Sequence, residues 1–243
     1  MKKNFLQLAL TGLIVSAQPT LANEDLSVPA SGIHTLEIDN QDGNIRIEGA
    51  QINTIQVTLN KIEYKNCELI TDRKEGRFVV TSKSKNKIFG RETCKLDITV
   101  KAPKQIDLDV KLGGGDVSVT TIQGKFSFKV GGGDVLLTDA EISHLDLKSG
   151  AGNVSVTGYI GSGELKVGAG NIDLSYNKNP LEGVLDLKVG SGTTTISVPN
   201  SAKISSKFKS GTGSLTNELK DSPDAKFKIS GTSGTGDMVI KKI

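Results

Sequence analysis

The sequence predicts an all-β fold: a β-solenoid, or β-helix-like stack of short strands with Gly-rich corners, flanked by an antiparallel strand segment. Three observations predict it. The first is a recurring unit, clearest as LDLKSGAGNVSV from Leu145 to Val156, with apolar residues alternating in each arm as in a β-strand. The second is the phase of that alternation. Apolar residues occupy odd positions before Ser149–Asn153 and even positions after it, so only a turned chain keeps both arms facing one core. The third is the period. The last glycine of each corner falls at 115, 133, 152, 170, 192, 213 and 236, in steps of 18, 19, 18, 22, 21 and 23 residues. A period near 20 residues suits one coil of a solenoid, whose apolar side is buried only when coils stack.

Along the chain, residues 1–22 read as a secretory signal. Lys2 and Lys3 form the charged end, residues 5–15 are mostly apolar, and Thr20-Leu21-Ala22 offers a small-residue cleavage site. The apolar run is short for a membrane span, no cysteine comes directly after it as in a lipoprotein, and no later segment reads as a transmembrane helix. Export to the periplasm, the cell surface or the medium is therefore expected. Removing the signal leaves 28 basic against 27 acidic residues, close to neutral. That balance argues against a nucleic-acid binder, which depends on a large positive excess.

Residues 23–32 read as a flexible lead-in. Residues 33–102 read as a first repeat, LEIDNQDGNIRI from Leu36, followed by an antiparallel strand cap drawn from residues 55–64, 77–82 and 95–101. Residues 82–87 read as a polar loop. A cap covers a strand edge that would otherwise pair with another chain. Cys67 and Cys94 are the only cysteines and both lie in this segment; in an exported chain an even pair suggests a disulfide. Residues 103–243 read as the solenoid coils.

Two ladders follow from the repeat. Lys111, Lys129, Lys148, Lys166, Lys188, Lys209 and Lys228 each sit between inward positions and are expected to point outward in one column. A mainly acidic column, Asp109, Ser127, Asp146, Glu164 and Asp186, lies two residues earlier and ends in Lys207 and Lys226. The plain expectation is a solvated face of offset charges. The functional expectation is a contact surface for an anionic glycan or lipid of the envelope or a host, strongest where Lys207 and Lys226 replace acids. The second ladder holds the corner residues Asn44, Asp116, Asp134, Asn153, Asn171, Thr193, Ser214 and Asp237, whose side chains bond nearby backbone in turns.

Other chemistries find little support. GGGD at residues 113–116 and 131–134 departs from the G-G-x-G-x-D of calcium-binding repeats, and later corners replace Asp with Asn, Thr and Ser. His34 and His144 are the only histidines and neither adjoins a cysteine, so no metal or cofactor is expected. Asp107 and Asp109 share a strand face without an evident third partner, and Ser143-His144 is only a sequence neighbour pair. Gly-rich corners that lead into strands are not phosphate loops. Arms of four or five residues with few aromatics do not suit a membrane barrel.

The corner units LEIDNQDGNIRI, VKLGGGDVSV, LKSGAGNVSV and LKVGAGNIDL, with the passage from Ile98 to Val119, resemble the bacterial adhesin-like domain family, a group of unknown function. The resemblance covers about residues 33 to 240. It implies a β-helix-like fold and an exported, envelope-associated role, and brings no catalytic residues. The sequence reading is thus a non-catalytic adhesin-like binding protein. A structural envelope protein without a soluble ligand and a carbohydrate-active β-helix enzyme are the alternatives.

Overall fold

The computed structural model describes residues 25–62, 67–84 and 94–243; the expected signal at 1–22 and half of the loop at 82–87 (residues 85–87) lie outside the described residues. The described residues form twenty strands in chain order: β1 Asp25–Pro29, β2 Thr35–Asp42, β3 Ile45–Ala50, β4 Thr54–Ile62, β5 Cys67–Lys74, β6 Arg77–Ser84, β7 Leu96–Pro103, β8 Asp107–Gly114, β9 Val117–Thr120, β10 Gln123–Gly132, β11 Val135–Ala151, β12 Val154–Ile160, β13 Gly163–Ala169, β14 Ile172–Tyr176, β15 Gly183–Ser191, β16 Thr194–Val198, β17 Ile204–Thr212, β18 Leu215–Asn217, β19 Phe227–Thr235 and β20 Met238–Lys242. Among the described residues there is no helix, hence none long and apolar enough to cross a membrane.

Each coil is one strand, a corner, and a second strand, and equivalent strands pair in parallel from coil to coil. In β8 the inward residues are Leu108, Val110 and Leu112; past the corner, in β9, they are Val117 and Val119. The corner thus performs the phase change predicted for it. Strand β11 serves two coils: residues 135–142 pair with β12, and residues 141–151 pair with β10. The two walls enclose one continuous core running from Ile33 to Ile240, including a stacked Phe126–Phe128 pair. Burying each such aliphatic side chain is worth about 1.5–3 kcal/mol, and no coil could achieve that alone.

The coils do not stack in sequence order. At the N-terminal end β2 lies between β6 and β8, and β3 between β7 and β9. At the C-terminal end β19 lies between β15 and β17, and β20 between β16 and β18. The first and last coils in the chain therefore sit one place in from each end. Gly231 faces inward, where preceding coils place Leu147, Leu165 and Leu187; a β-carbon there would meet Phe208 and Met238. Phe208 and Met238 fill the space instead.

Two expectations are corrected at the N-terminal end. Residues 25–29, read as a flexible lead-in, form β1, which pairs antiparallel with β4. Its alternation in Leu26 and Val28 is short, but both pack on the core. Residues 77–82 and 95–101, read as antiparallel cap strands, belong to β6 and β7, which pair antiparallel with β5 and β4 as expected but also pair in parallel with β2 and β3, so they form a coil of the stack as well. The antiparallel cap consists of β1 and β4 beside β7, and β5 beside β6. The Cys67–Cys94 disulfide ties β5 to the residue two before β7, with Cα atoms 5.1 Å apart.

The opposite end has its own cover. Ser222 N donates to Ile204 O, and Asp221 Oδ1 accepts from Ser206 N at 2.7 Å. Leu219 is buried under this crossing segment. Past Ser206 the β17 edge carries Lys207 and Lys209, charges that discourage pairing with another chain.

Candidate functional site

The corners set the spacing of everything on the surface. Gly115, Gly133, Gly152, Gly170, Gly192, Gly213 and Gly236 all adopt positive φ. A β-carbon on Gly133, Gly152, Gly170 or Gly192 would lie 2.0 Å from the carbonyl oxygen of the preceding corner glycine. A second glycine row, 113, 131, 150, 168 and 190, is equally close-packed, with virtual contacts of 2.3–2.4 Å. In the first row glycine is required by both backbone approach and conformation, in the second by approach alone.

The Asx ladder is a chain of bonds between coils. Asn44 Oδ1 accepts from Asp116 N (3.0 Å), Asp116 Oδ1 from Asp134 N (2.9 Å), and Asp134 Oδ1 from Asn153 N (2.7 Å). Asn153 Oδ1 accepts from Asn171 N (3.0 Å), and Asn171 Oδ1 from Thr193 N (2.9 Å). In the last two coils Asp237 Oδ1 accepts from both Ser214 N and Oγ, which lowers its carboxyl below the ordinary range. The ladder begins one coil earlier than the repeat suggested, at Asp97, which accepts from Asn44 N at 2.7 Å. These side chains join coils to each other, where the sequence reading emphasised bonds within a turn. Among the described residues no group of three or more His, Cys, Asp or Glu gathers as a metal site.

On the outer face of the first-strand wall, Lys111, Lys129, Lys148, Lys166 and Lys188 stand in register on neighbouring strands. Glu164 accepts from Lys166 (2.7 Å) and Lys188 (2.8 Å), and these two ammonium groups pull its carboxyl down to about 2. Lys148 lies 3.7 Å from Asp146, and Lys111 lies 3.6 Å from Glu37, which also holds Arg77 at 3.0 Å. Lys129 sits beside Ser127 and forms no ion pair with the described residues. The ion pairs are exposed and each contributes little to stability.

The column is interrupted one coil before its end. Lys188 is followed by Thr232, then by Lys209 on the outermost coil. Lys228 lies beside Val184 and Ser205, outside the column, and Lys226 precedes β19. The acidic column likewise runs Asp186, Ser230, Lys207, with Ser230 Oγ bonded to Asp186. The physical reason is that the corner glycine sets the register. Counting back four residues from Gly236 reaches Thr232, whereas the Lys-Phe-Lys similarity at 226–228 lies in the entry to the strand. Lys226 and Lys228 instead line a separate polar crevice of about 720 Å³ with Glu182 and residues 223–225.

Beside the lysines runs a trough of about 890 Å³. Its floor is the backbone at Gly131, Gly150, Gly168 and Gly190, and one wall is the stems of Lys129, Lys148, Lys166 and Lys188, with Thr232 at the end. The trough exists because the close-packed glycines carry no side chains. The sequence reading identified the glycines and the lysines and missed that they border one another; alternation places them two residues apart on one face.

The residues weighed for catalysis are scattered. Asp107 Oδ1 accepts from Lys125 N at 2.7 Å. His144 Nδ1 meets Ser162 Oγ at 3.0 Å, while Ser143 Oγ bonds Gly124 O. Tyr176 is fully buried between Tyr159 and Phe227, and burial raises its phenol pKa.

One solved structure supports the fold. A candidate adhesin from Bacteroides fragilis NCTC 9343 is 15% identical, covers 93% of this chain and 100% of its own, and superposes with a TM-score of 0.56. A candidate lipid-binding protein from Parabacteroides distasonis ATCC 8503 is 15% identical over 88% of this chain and 96% of its own, with a TM-score of 0.44. A candidate adhesin from Parabacteroides merdae ATCC 43184 is 12% identical over 88% and 95%, also at 0.44. No curated protein matches the chain. The family model described as Toastrack DUF4097 matches residues 25–242, the whole coil stack with its N-terminal cap, and the chain belongs to that family.

Proposed function

We propose that this chain is an exported, non-catalytic surface protein that uses a rigid coil stack to hold a row of lysines against an anionic envelope or host surface. The observation that carries this reading is the in-register column from Lys111 to Lys188, one lysine per coil over five coils. Like charges placed side by side on neighbouring strands are unfavourable, and the acidic column relieves them on one flank only. A binding role accounts for retaining that arrangement. In support, the corner acids Asp116, Asp134 and Asp237 already accept backbone N–H groups, so they serve the scaffold. A candidate adhesin of solved structure shares the fold at a TM-score of 0.56, and the expected leader at 1–22 agrees with export.

The test is cosedimentation of the purified chain with vesicles of phosphatidylglycerol and of phosphatidylcholine, and with whole envelope fragments. Binding to the anionic materials that falls as salt rises, and that is lost on reversing Lys148 and Lys166 to glutamate, is the expected result. Binding unchanged by those reversals would remove the lysine face from the account. Cell fractionation with an antibody to the chain tests export; a cytoplasmic location would contradict it.

A further inference from the structure

We infer that the trough beside the lysine column is the seat of one extended anionic polysaccharide strand, a polyuronate, lying along the stack with about one sugar ring per coil. The inference rests on the proposal that the lysine face makes contacts, and it names the ligand and its orientation.

The argument starts from spacing. Neighbouring strands lie about 4.8 Å apart, so Lys129 to Lys188 spans roughly 14 Å over four coils. A ligand along this line crosses the strands at right angles, so it must match the coil spacing. An extended peptide advances about 3.3 Å per residue and falls out of step with the lysines within two coils. A pyranose ring in an extended chain is about as long as one coil spacing and stays in step. An alkyl chain has no recurring charge to meet the ammonium groups.

Shape and chemistry agree. The floor is glycine backbone, flat and without aromatic rings, and it is open from Gly131 to Gly190. The C–H face of a sugar ring can lie on it while ring carboxylates meet the lysines along the wall. The acids flank the lysines on the far side: Asp146, Glu164 and Asp186 stand two residues toward the strand start, away from the trough. A carboxylate in the trough therefore approaches the unflanked side. Lys129, with Ser127 in place of an acid, is the strongest single anchor. A membrane is planar and would press on the lysine tips without entering the trough, so it fits less well.

The experiment uses the whole purified chain and fluorescence anisotropy with labelled oligogalacturonates of increasing length. Neutral cello-oligosaccharides and phosphatidylglycerol vesicles are the comparison ligands. Affinity should rise from dimer to about a tetramer or pentamer and then level off, because the trough ends at Thr232. Neutral oligomers should bind at least about tenfold more weakly. K129Q/K148Q should weaken the tetramer about tenfold, from a few-fold per exposed ion pair, with the melting temperature unchanged. K101Q, on β7 in the second-strand wall of the stack and away from the trough, should change nothing. Loss of binding equal in K101Q, or no binding of any oligouronate, overturns the inference. If vesicles still bind through the lysines when oligouronates do not, the surface reading stands without the polysaccharide; if neither binds, both fall.

Discussion

Replacing Gly133 with alanine should unfold the stack far more easily than replacing Gly132, its neighbour. Gly133 has φ 121°, where an L side chain costs about 1–3 kcal/mol. Its β-carbon would lie 2.0 Å from Gly115 O and 2.5 Å from Gly115 C, both backbone atoms of the adjoining coil. Relief requires the coils to part, which weakens Gly115 N→Gly132 O (2.9 Å) and Val117 N→Asp134 O (2.9 Å), each worth about 1 kcal/mol net. The expected loss is about 3–5 kcal/mol, or on the order of 10 °C in melting temperature for a chain of this size. Gly132 is different. The nearest atom to its β-carbon is Ala151 O at 4.0 Å, and later coils already carry Ala151 and Ala169 at that place. Gly132→Ala should stay within about 0.5 kcal/mol of the parent. The assay is thermal and urea unfolding followed by far-ultraviolet circular dichroism. Equal stability of the two variants would refute the argument that close backbone approach, and not composition, fixes the glycine ladder.

Asp134→Ala removes the acceptor for Asn153 N and should cost about 1 kcal/mol, while Asp134→Asn keeps an oxygen and should cost much less in the same urea titration. Glu164 has a folded pKa of about 2, below its unfolded value, so its pairing stabilises the fold above the ordinary carboxylate range and that contribution fades as pH falls toward 2. A carbon-detected NMR titration of Glu164 should show the depressed midpoint; a midpoint near the ordinary 4.5 would contradict it. Replacing Cys67 and Cys94 with serine opens a bridge between residues 27 apart and should cost about 3.5 kcal/mol in the chain-entropy model, with faster amide exchange concentrated in β5 and β6. Leu219→Ala should loosen the C-terminal cover by about 2 kcal/mol and speed exchange in β17 and β18 while β8 to β13 keep their protection.

Much of this architecture was legible in residue order because the solenoid writes its rules locally. A phase change across Gly150 and Gly152, repeated at a period near 20, states that two arms share a core. The cysteine pair was legible for the same reason, being alone in the chain. What residue order could not carry was the order of stacking. β19 and β17 have similar patterns, and the choice between them rests on interior volume: Gly231 leaves the space that Phe208 and Met238 fill. The coil β6–β7 was hidden because the sequence between Ser84 and Leu96 carries a single glycine, Gly90, in place of the Gly-rich corner motif. Strand β1 is too short for its alternation to stand out from a polar lead-in. The trough was half visible: lysine and glycine lie two residues apart in the motif, but a row of absent side chains becomes a surface only once coils are superposed.

The account stands most directly on which coil touches which, and solution NMR reads that through scalar couplings across hydrogen bonds. The Val154 amide should couple to the Asn171 carbonyl, and the Thr194 amide to the Asp237 carbonyl, matching donor–acceptor distances of 2.8 Å in both cases. Coupling of Thr194 to Ser214 would mean that the coils follow chain order, and the absence of any coupling between successive coils would dissolve the lysine column and the trough together.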